Sequence, residues 1–231
     1  MKRLVVVHFA LLLFSTVLIA QNYPLKKVLI ISENKPDLKS EASGVTRDLA
    51  QLLGHFNTQV TFESIDSYKA DEINQFHVIF YVGLSPENHP TGVLIRDILG
   101  SSIPVVWLNT GMSELLKAFE NQQKYGFSIV KYLENSEFDS VKTNTYSYTK
   151  GRSEINLIQI NKIKEVKTLA IAFSSKTNKQ TPYMIQSGNL WYVADIPFLG
   201  AKVTDRYLLF ADKLHDILNE LSAVTRLSRS V

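Results

Sequence analysis

The chain has 231 residues, 45% of them hydrophobic, which is enough for one sizeable domain with a full core. It contains no cysteine, which excludes disulfides, a thiolate nucleophile and a cysteine-ligated zinc site. The formal net charge of +3 is close to zero, so the composition indicates neither a nucleic-acid surface nor a basic patch for anionic membranes.

The first twenty residues are typical of a secretory signal peptide. Lys2 and Arg3 precede an uncharged run from Leu4 to Ala20, and polar residues follow it. The run is at the lower edge of the length that spans a bilayer, so an uncleaved membrane anchor is the alternative.

We therefore predict an exported protein, periplasmic or extracellular, whose mature chain begins near Gln21. The small residue Ala20 at the end of the apolar run is the expected cleavage point. N-terminal sequencing of the extracytoplasmic protein checks this prediction. An intact Met1 would instead favour the anchored form.

The mature chain begins with alternating strand and helix patterns. Strands are predicted at Lys26 to Ser32, Gln59 to Ile65, His77 to Val82 and Ile103 to Leu108. Helices are predicted at Val45 to Phe56, Val93 to Leu99 and Glu114 to Gln122, with a short helical turn at Lys69 to Gln75. This alternation is typical of a parallel sheet with helices on both faces.

The second half is less regular. Further strands are predicted at Phe127 to Leu133, Glu154 to Ile160, Thr168 to Phe173 and Leu190 to Ile196, the last one stopped by Pro197. A closing helix follows to Leu218. We therefore predict an α/β fold, flavodoxin-like and mostly parallel, with helices on both faces and extra edge strands. This domain covers residues 26–218, and a polar tail covers residues 219–231.

The closing helix has an apolar face that we expect to pack on the sheet. The apolar residues are Tyr207, Phe210, Ala211, Leu214, Ile217 and Leu218, whereas Asp205, Asp212 and Asp216 are expected to face outward. Asp195 in the last strand and Asp205-Arg206 at the helix start are expected to form a buried or semi-buried ion pair with a structural role.

The closing stretch also resembles a known group of proteins. Gly188 to Phe198 and Asp205 to Leu218 are similar to the region ahead of the catalytic barrel in the DUF2334 group of polysaccharide-deacetylase-like proteins. Weaker similarity is present at Val78 to Gly83, Pro104 to Leu108, Tyr125 to Phe127 and Lys150 to Arg152. The resemblance covers roughly Lys26 to Leu218 and implies an exported flavodoxin-like or class I amidotransferase-like domain.

In that group the helix leads into a deacetylase-like barrel, whose metal site needs a carboxylate and histidines. Here only a polar, basic segment from Ser222 to Val231 follows. The resemblance thus implies either a truncated or split deacetylase or a domain that works without a fused barrel.

Polar and small residues follow three of the predicted parallel strands. Ligands in open parallel sheets bind beyond the carboxyl ends of the strands, at the switch point. The candidate ligand-binding residues are Glu33, Asn34, Gly83, Ser85, Asn109, Thr110 and Gly111. Glu33 and Asn109 could hydrogen-bond sugar hydroxyls, although the same residue types also simply form turns.

No catalytic residue is assigned. The turn after the fourth strand is where related folds place a nucleophile on a strained elbow, but Met112 occupies that place and no G-x-S-x-G pattern is present. Ser113 is expected to be the N-cap of the next helix rather than a nucleophile.

No metal or cofactor site is predicted either. The histidines lack the i, i+4 spacing of a helical zinc site, and Asp212, His215 and Asp216 are expected to be the solvated face of their helix. No glycine-rich phosphate loop is present.

Five aromatic residues could stack on sugar rings or line an interface, although most are expected in the core: Tyr146, Tyr148, Tyr183, Trp191 and Tyr192. We expect an exported non-catalytic domain that supports envelope polysaccharide processing by binding carbohydrate or a partner protein, such as a deacetylase barrel. The alternatives are part of a split or truncated deacetylase, or a small hydrolase with an unrecognised site.

Overall fold

The structure, a computed structural model, describes residues 24–33, 39–86, 89–150, 155–198 and 205–227. Within these ranges, the side chains of Asn135, Asp205 and residues 219–227 are not described. The predicted signal peptide and Asn34 lie outside the described residues. No helix in the described part of the chain is long and apolar enough to cross a membrane.

Strands and helices alternate in the first half of the domain. The strands are β1 (Lys26–Ser32), β2 (Thr58–Ser64), β3 (Val78–Gly83) and β4 (Val105–Asn109). The helices are α1 (Lys39–Leu53) and α2 (Gly92–Gly100), with a 3₁₀ turn at Glu72–Gln75. Every residue of β3 is buried, as the continuous apolar run predicts.

The second half contains shorter elements. The helices are α3 (Met112–Leu115), α4 (Phe119–Tyr125) and α5 (Asp205–Leu227), with a 3₁₀ turn at Asn135–Glu137. The strands are β5 (Phe127–Tyr132), β6 (Ser140–Lys142), β7 (Ser147–Thr149), β8 (Ile158–Lys162), β9 (Lys167–Phe173), β10 (Gln180–Ser187) and β11 (Leu190–Val193).

Nine of the strands form one sheet, in the order β2-β1-β3-β4-β11-β10-β9-β6-β7. The pairs from β2 to β11 are parallel, whereas those from β11 to β7 are antiparallel. Strands β5 and β8 form a separate antiparallel pair. The predicted fold class is confirmed, and the antiparallel strands are the extra strands at one edge.

Four element predictions need correction. The strand predicted at Glu154 to Ile160 is instead β8, which runs from Ile158 to Lys162. Helix α1 begins at Lys39, ahead of the apolar residues that predicted it. The helix predicted at Glu114 to Gln122 is instead two short helices, α3 and α4, separated at Leu116–Ala118. The closing helix continues beyond Leu218 to Leu227.

The closing helix packs as expected. Phe210, Leu214, Ile217 and Leu218 are buried, Tyr207 and Ala211 are partly buried, and Asp212 and Asp216 are exposed. The Phe210 ring lies 5.7 Å from the ring of Phe198, the aromatic residue that follows the last strand. Helix α5 therefore packs on the hydrophobic core that it shares with the sheet.

Candidate functional site

The carboxyl ends of β1, β3 and β4 meet at one edge of the sheet, which brings most of the candidate ligand-binding residues together. Glu33 follows β1 and is almost completely buried. Its Oε1 accepts hydrogen bonds from the backbone N–H groups of Leu84, at 2.9 Å, and Ser85, at 3.0 Å. The carboxylate thus joins the end of β1 to the loop after β3.

Asn109 ends β4 with a φ of 70°, in the left-handed region. Its Nδ2 donates to the Gly83 carbonyl at 2.9 Å, and its Oδ1 accepts a hydrogen bond from Nδ2 of Asn156. Asn156 is fixed in turn, because its backbone N–H donates to the carbonyl of Ala194 at 2.7 Å. Both ends of the Asn109 amide are therefore used to join neighbouring elements.

Gly83 and Thr110 are in close contact behind this amide. A Cβ atom on Gly83 would lie 2.5 Å from the carbonyl oxygen of Thr110, so only glycine fits there. Thr110 Oγ1 donates to the carbonyl of Ser85 at 3.0 Å, and the Thr110 carbonyl accepts from Trp107 Nε1 at 2.7 Å. The small and polar residues at this edge thus connect strands to each other.

The turn after β4 differs from its predicted geometry. The N-cap of α3 is Gly111, with a φ of 84°, and no side chain caps the helix. The assignment of Ser113 as N-cap is therefore wrong, because Ser113 lies inside the helix with an exposed side chain. Met112 is buried as the first helical residue, and the residue with positive φ at the strand end is Asn109.

Tyr81 lies beneath this edge. Its ring is 4.1 Å from the Trp107 ring, centroid to centroid, and its hydroxyl is buried without a hydrogen-bond partner among the described residues. Burial and the nearby charge of Glu33 raise the pKa of Tyr81. The phenol is therefore neutral at physiological pH and contributes packing to the edge.

Glu63, near the carboxyl end of β2, is an acid with a strongly shifted pKa. Burial and a hydrogen bond to Glu72 raise the pKa of Glu63 to about 7. Since the folded protein holds this proton more tightly than the unfolded chain, the contribution of Glu63 to stability is greatest below pH 4.5 and falls as the pH rises to about 7.

We therefore expect the difference in unfolding free energy between the wild type and Glu63→Gln to change between pH 4.5 and 7 and to level off above pH 7. Denaturant titrations across this range measure the difference. The Glu72→Gln variant is the control, since it should lower the pKa of Glu63. A carboxyl pKa near 4.5 for Glu63 by NMR would contradict the prediction.

Among the described histidines, His55 and His215 line a common pocket, while His77 and His89 have partners elsewhere. His89 Nδ1 is 3.8 Å from a carboxylate oxygen of Glu114, and His77 Nδ1 accepts a hydrogen bond from the backbone of Lys27. Asp212 and Asp216, which share a helix face with His215, form ion pairs with Lys213. In the part of the chain that is described, no group of three or more histidine and acidic side chains could hold a metal ion.

A cleft lies between the β6–β7 hairpin and helix α5. The cleft has a volume of about 450 Å³ and is lined by Thr143, Asn144, Thr145, Tyr146, Tyr148, Lys167, Thr168, Leu169, Trp191, Leu208, Leu209, Asp212, Lys213 and Asp216. We call it the aromatic cleft. It brings together three of the aromatic residues that the sequence singled out, namely Tyr146, Tyr148 and Trp191.

The three aromatic side chains of the cleft differ in exposure. Tyr146 is 65% exposed, and its ring centroid is 6.1 Å from that of the partly buried Tyr148. Trp191 is only 3% exposed. Tyr183 and Tyr192, by contrast, are core residues, as expected for most of these aromatic residues. The Tyr183 hydroxyl donates to Asp195, and the Tyr192 hydroxyl donates to the carbonyl of Asn156.

The expected buried ion pair is present between Asp195 and Arg206. Arg206 Nη1 donates to Asp195 Oδ2, which also accepts a hydrogen bond from the Tyr183 hydroxyl at 3.0 Å. Both charged side chains are almost completely buried. The pair fixes the start of α5 to the segment that follows β11.

Comparison with known proteins supports the fold alone. No protein-family model and no curated protein matches the sequence. A putative ThuA-like protein from Bacteroides uniformis has a similar structure, with a TM-score of 0.60 and 12% identity over 82% of this chain and 90% of that one. A likeness at this identity establishes the fold and leaves the activity open.

Two further solved structures have lower TM-scores. A putative ThuA-like protein from Parabacteroides merdae gives a TM-score of 0.45 at 12% identity, covering 74% of this chain and 79% of that one. The glutaminase domain of a Trypanosoma brucei CTPS with bound acivicin gives 0.44 at 8% identity, covering 86% and 94%. The Bacteroides uniformis structure supports the flavodoxin-like α/β architecture of this chain.

Proposed function

We propose that the chain is an exported, non-catalytic α/β domain that binds an envelope carbohydrate in the aromatic cleft. The observation that carries the proposal is the exposed Tyr146 ring beside Tyr148 in a cleft that also contains charged side chains. The C–H face of a sugar ring is apolar and packs on an aromatic ring, while its hydroxyls need polar partners at the rim. The cleft supplies both.

Three of the charged side chains of the cleft lie along helix α5. Lys213 Nζ is 3.2 Å from Asp212 and 2.9 Å from Asp216, and both carboxylates remain largely exposed. Each therefore has lone pairs available for sugar hydroxyls while Lys213 keeps its position. A volume of about 450 Å³ lies within the range of roughly 300–1,000 Å³ typical of ligand sites.

The hydrogen bonds at the carboxyl edge of the sheet argue against a catalytic role for its polar residues. Glu33 Oε1 and both polar atoms of the Asn109 amide are hydrogen-bonded to groups of the protein itself. A general base or an oxyanion donor must instead direct such atoms to the substrate. These residues therefore fit a structural role that holds β1, β3 and β4 in register.

We further propose that the chain is related to the DUF2334 group and presents a polysaccharide to a deacetylase barrel. The two segments with the most specific resemblance are Gly188 to Phe198 and Asp205 to Leu218. They contribute Trp191 and the α5 residues of the cleft. A glycan held there would lie on the part of the domain that precedes the barrel in that group.

Isothermal titration with a hexamer of N-acetylglucosamine tests the proposal, since a deacetylase acts on acetylated sugars. We expect the wild type to bind and Tyr146→Ala to weaken binding by about tenfold, through loss of one stacking contact. Tyr132→Ala is the matched control, because Tyr132 is also an exposed tyrosine but lies outside the cleft. Equal affinity of the wild type and Tyr146→Ala, or no binding at millimolar sugar, would contradict the proposal.

A further inference from the structure

A separate pocket lies at the opposite, amino-terminal edge of the sheet. Its volume is about 280 Å³, and its lining is mostly apolar. Pro24, Phe56 and Leu218 supply apolar surface, and Lys26 also lines the pocket. The pocket is formed where β1 begins, α1 has just ended and α5 passes over the sheet.

Lys26 is unusually placed for a lysine. It is only 8% exposed, and among the described residues its ammonium has no hydrogen bond or ion pair. The aliphatic part of this side chain is covered by protein while the ammonium is only partly buried, and this burial lowers the pKa of Lys26. A bound anion would supply the partner that the protein does not.

The surroundings of Lys26 are consistent with a positive potential. Burial and the charge of Lys26 lower the pKa of His77, whose Nδ1 accepts a hydrogen bond from the Lys27 backbone at 2.9 Å. Thr58, the residue opposite Lys26 on β2, uses its hydroxyl to donate to the Leu53 carbonyl at 2.8 Å. That hydroxyl proton is therefore not available to a ligand. The polar lining is then the Lys26 ammonium together with the side chains of His55, Asn57 and His215.

We propose that this pocket binds a small monocarboxylate with an apolar body, whose carboxylate pairs with Lys26 and whose body lies against Phe56 and Leu218. The single lysine ammonium of the pocket matches the single charge of a carboxylate. A phosphate carries more charge and needs several donors, which usually include arginine or a cluster of backbone N–H groups. The mostly apolar lining matches the rest of the ligand.

Isothermal titration of the purified chain with octanoate and with 1-octanol tests this site. We expect octanoate to bind and 1-octanol, which has the same chain without the charge, to bind at least tenfold more weakly. Lys26→Met should weaken octanoate binding by about tenfold to a hundredfold, whereas Lys26→Arg should retain it. Lys27→Met is the matched control, because Lys27 is the exposed neighbour on the same strand.

NMR of the wild type locates the site without any substitution. The imidazole C–H signals of His55 and His215, which line the pocket, should shift with octanoate. The signal of His89, which lies beside Glu114, should not. Equal affinity for octanoate and 1-octanol, absence of octanoate binding, or shifts confined to His89 would each overturn the proposal.

This ligand site and the aromatic cleft can be tested independently. Tyr146→Ala should leave octanoate binding unchanged, since Tyr146 does not line the pocket. Lys26→Met should leave glycan binding unchanged for the same reason. Failure of one proposal is therefore distinguishable from failure of the other.

Discussion

Replacing Arg206 by alanine is expected to lower the free energy of unfolding by about 3–5 kcal/mol. The Asp195 side chain is 6% exposed and, among the described residues, would keep only the Tyr183 hydroxyl as a partner. A buried carboxylate without its cation is costly, and the same contact fixes the start of α5. Denaturant titration of the wild type and the variant measures the loss.

Arg96→Ala is the matched control for Arg206. Arg96 also forms an ion pair, at 2.9 Å from the buried Asp97, but the Arg96 side chain is 63% exposed. The Asp97 carboxylate also accepts hydrogen bonds from the Tyr68 hydroxyl and the Asp71 backbone N–H, which remain after the substitution. We therefore expect Arg96→Ala to cost about 1 kcal/mol or less. If Arg206→Ala proved no more destabilising than Arg96→Ala, the buried pair would not hold the helix to the sheet.

Replacing Leu214 by alanine is expected to cost about 2–5 kcal/mol, because the side chain is fully buried and its removal leaves a cavity. The loss is a large share of the stability of a typical domain. Asp212→Ala, on the exposed face of the same helix, should cost less than about 0.5 kcal/mol. Thermal or denaturant unfolding compares the two variants.

A near-neutral Leu214→Ala would mean that α5 is not docked on the core in solution. The aromatic cleft would then lose one wall, since Leu208, Leu209 and Asp212 belong to this helix. The stability of α5 and the existence of the glycan site are therefore linked.

The parallel half of the sheet could be predicted from the sequence because its strands are continuous apolar runs separated by helical patterns. Strands β1, β3 and β4 are buried on both faces, so hydrophobicity alone marks them. Their parallel pairing follows from the helices between them.

The antiparallel part could be predicted only incompletely. Strands β6 and β7 have three residues each and are rich in polar side chains, so periodicity does not distinguish them from a loop. Strand β10 contains Pro182, which usually argues against a central strand. A register shift between Pro182 and Met184 accommodates the proline within the sheet.

The position of the candidate ligand-binding residues could be predicted in part for a similar reason, while their binding of a ligand stays a prediction. Strand ends can be located from apolar runs. Locating them places Glu33, Gly83 and Asn109 at the same edge of the sheet. Asn156 was missed, because its contact with Asn109 depends on a segment far along the chain that no local pattern connects to β4. Burial of Trp191 and exposure of Tyr146 likewise depend on where α5 and the β6–β7 hairpin pack.

Tryptophan fluorescence during titration with the N-acetylglucosamine hexamer tests carbohydrate binding in the aromatic cleft most directly. The chain has two tryptophans, of which Trp191 lines the cleft. Trp107 lies on β4, between β3 and β11 in the sheet, and is fully buried. We expect a saturable change in emission that is lost in Trp191→Phe and retained in Trp107→Phe. A saturable change that survives Trp191→Phe, or no change at millimolar hexamer, would contradict the account.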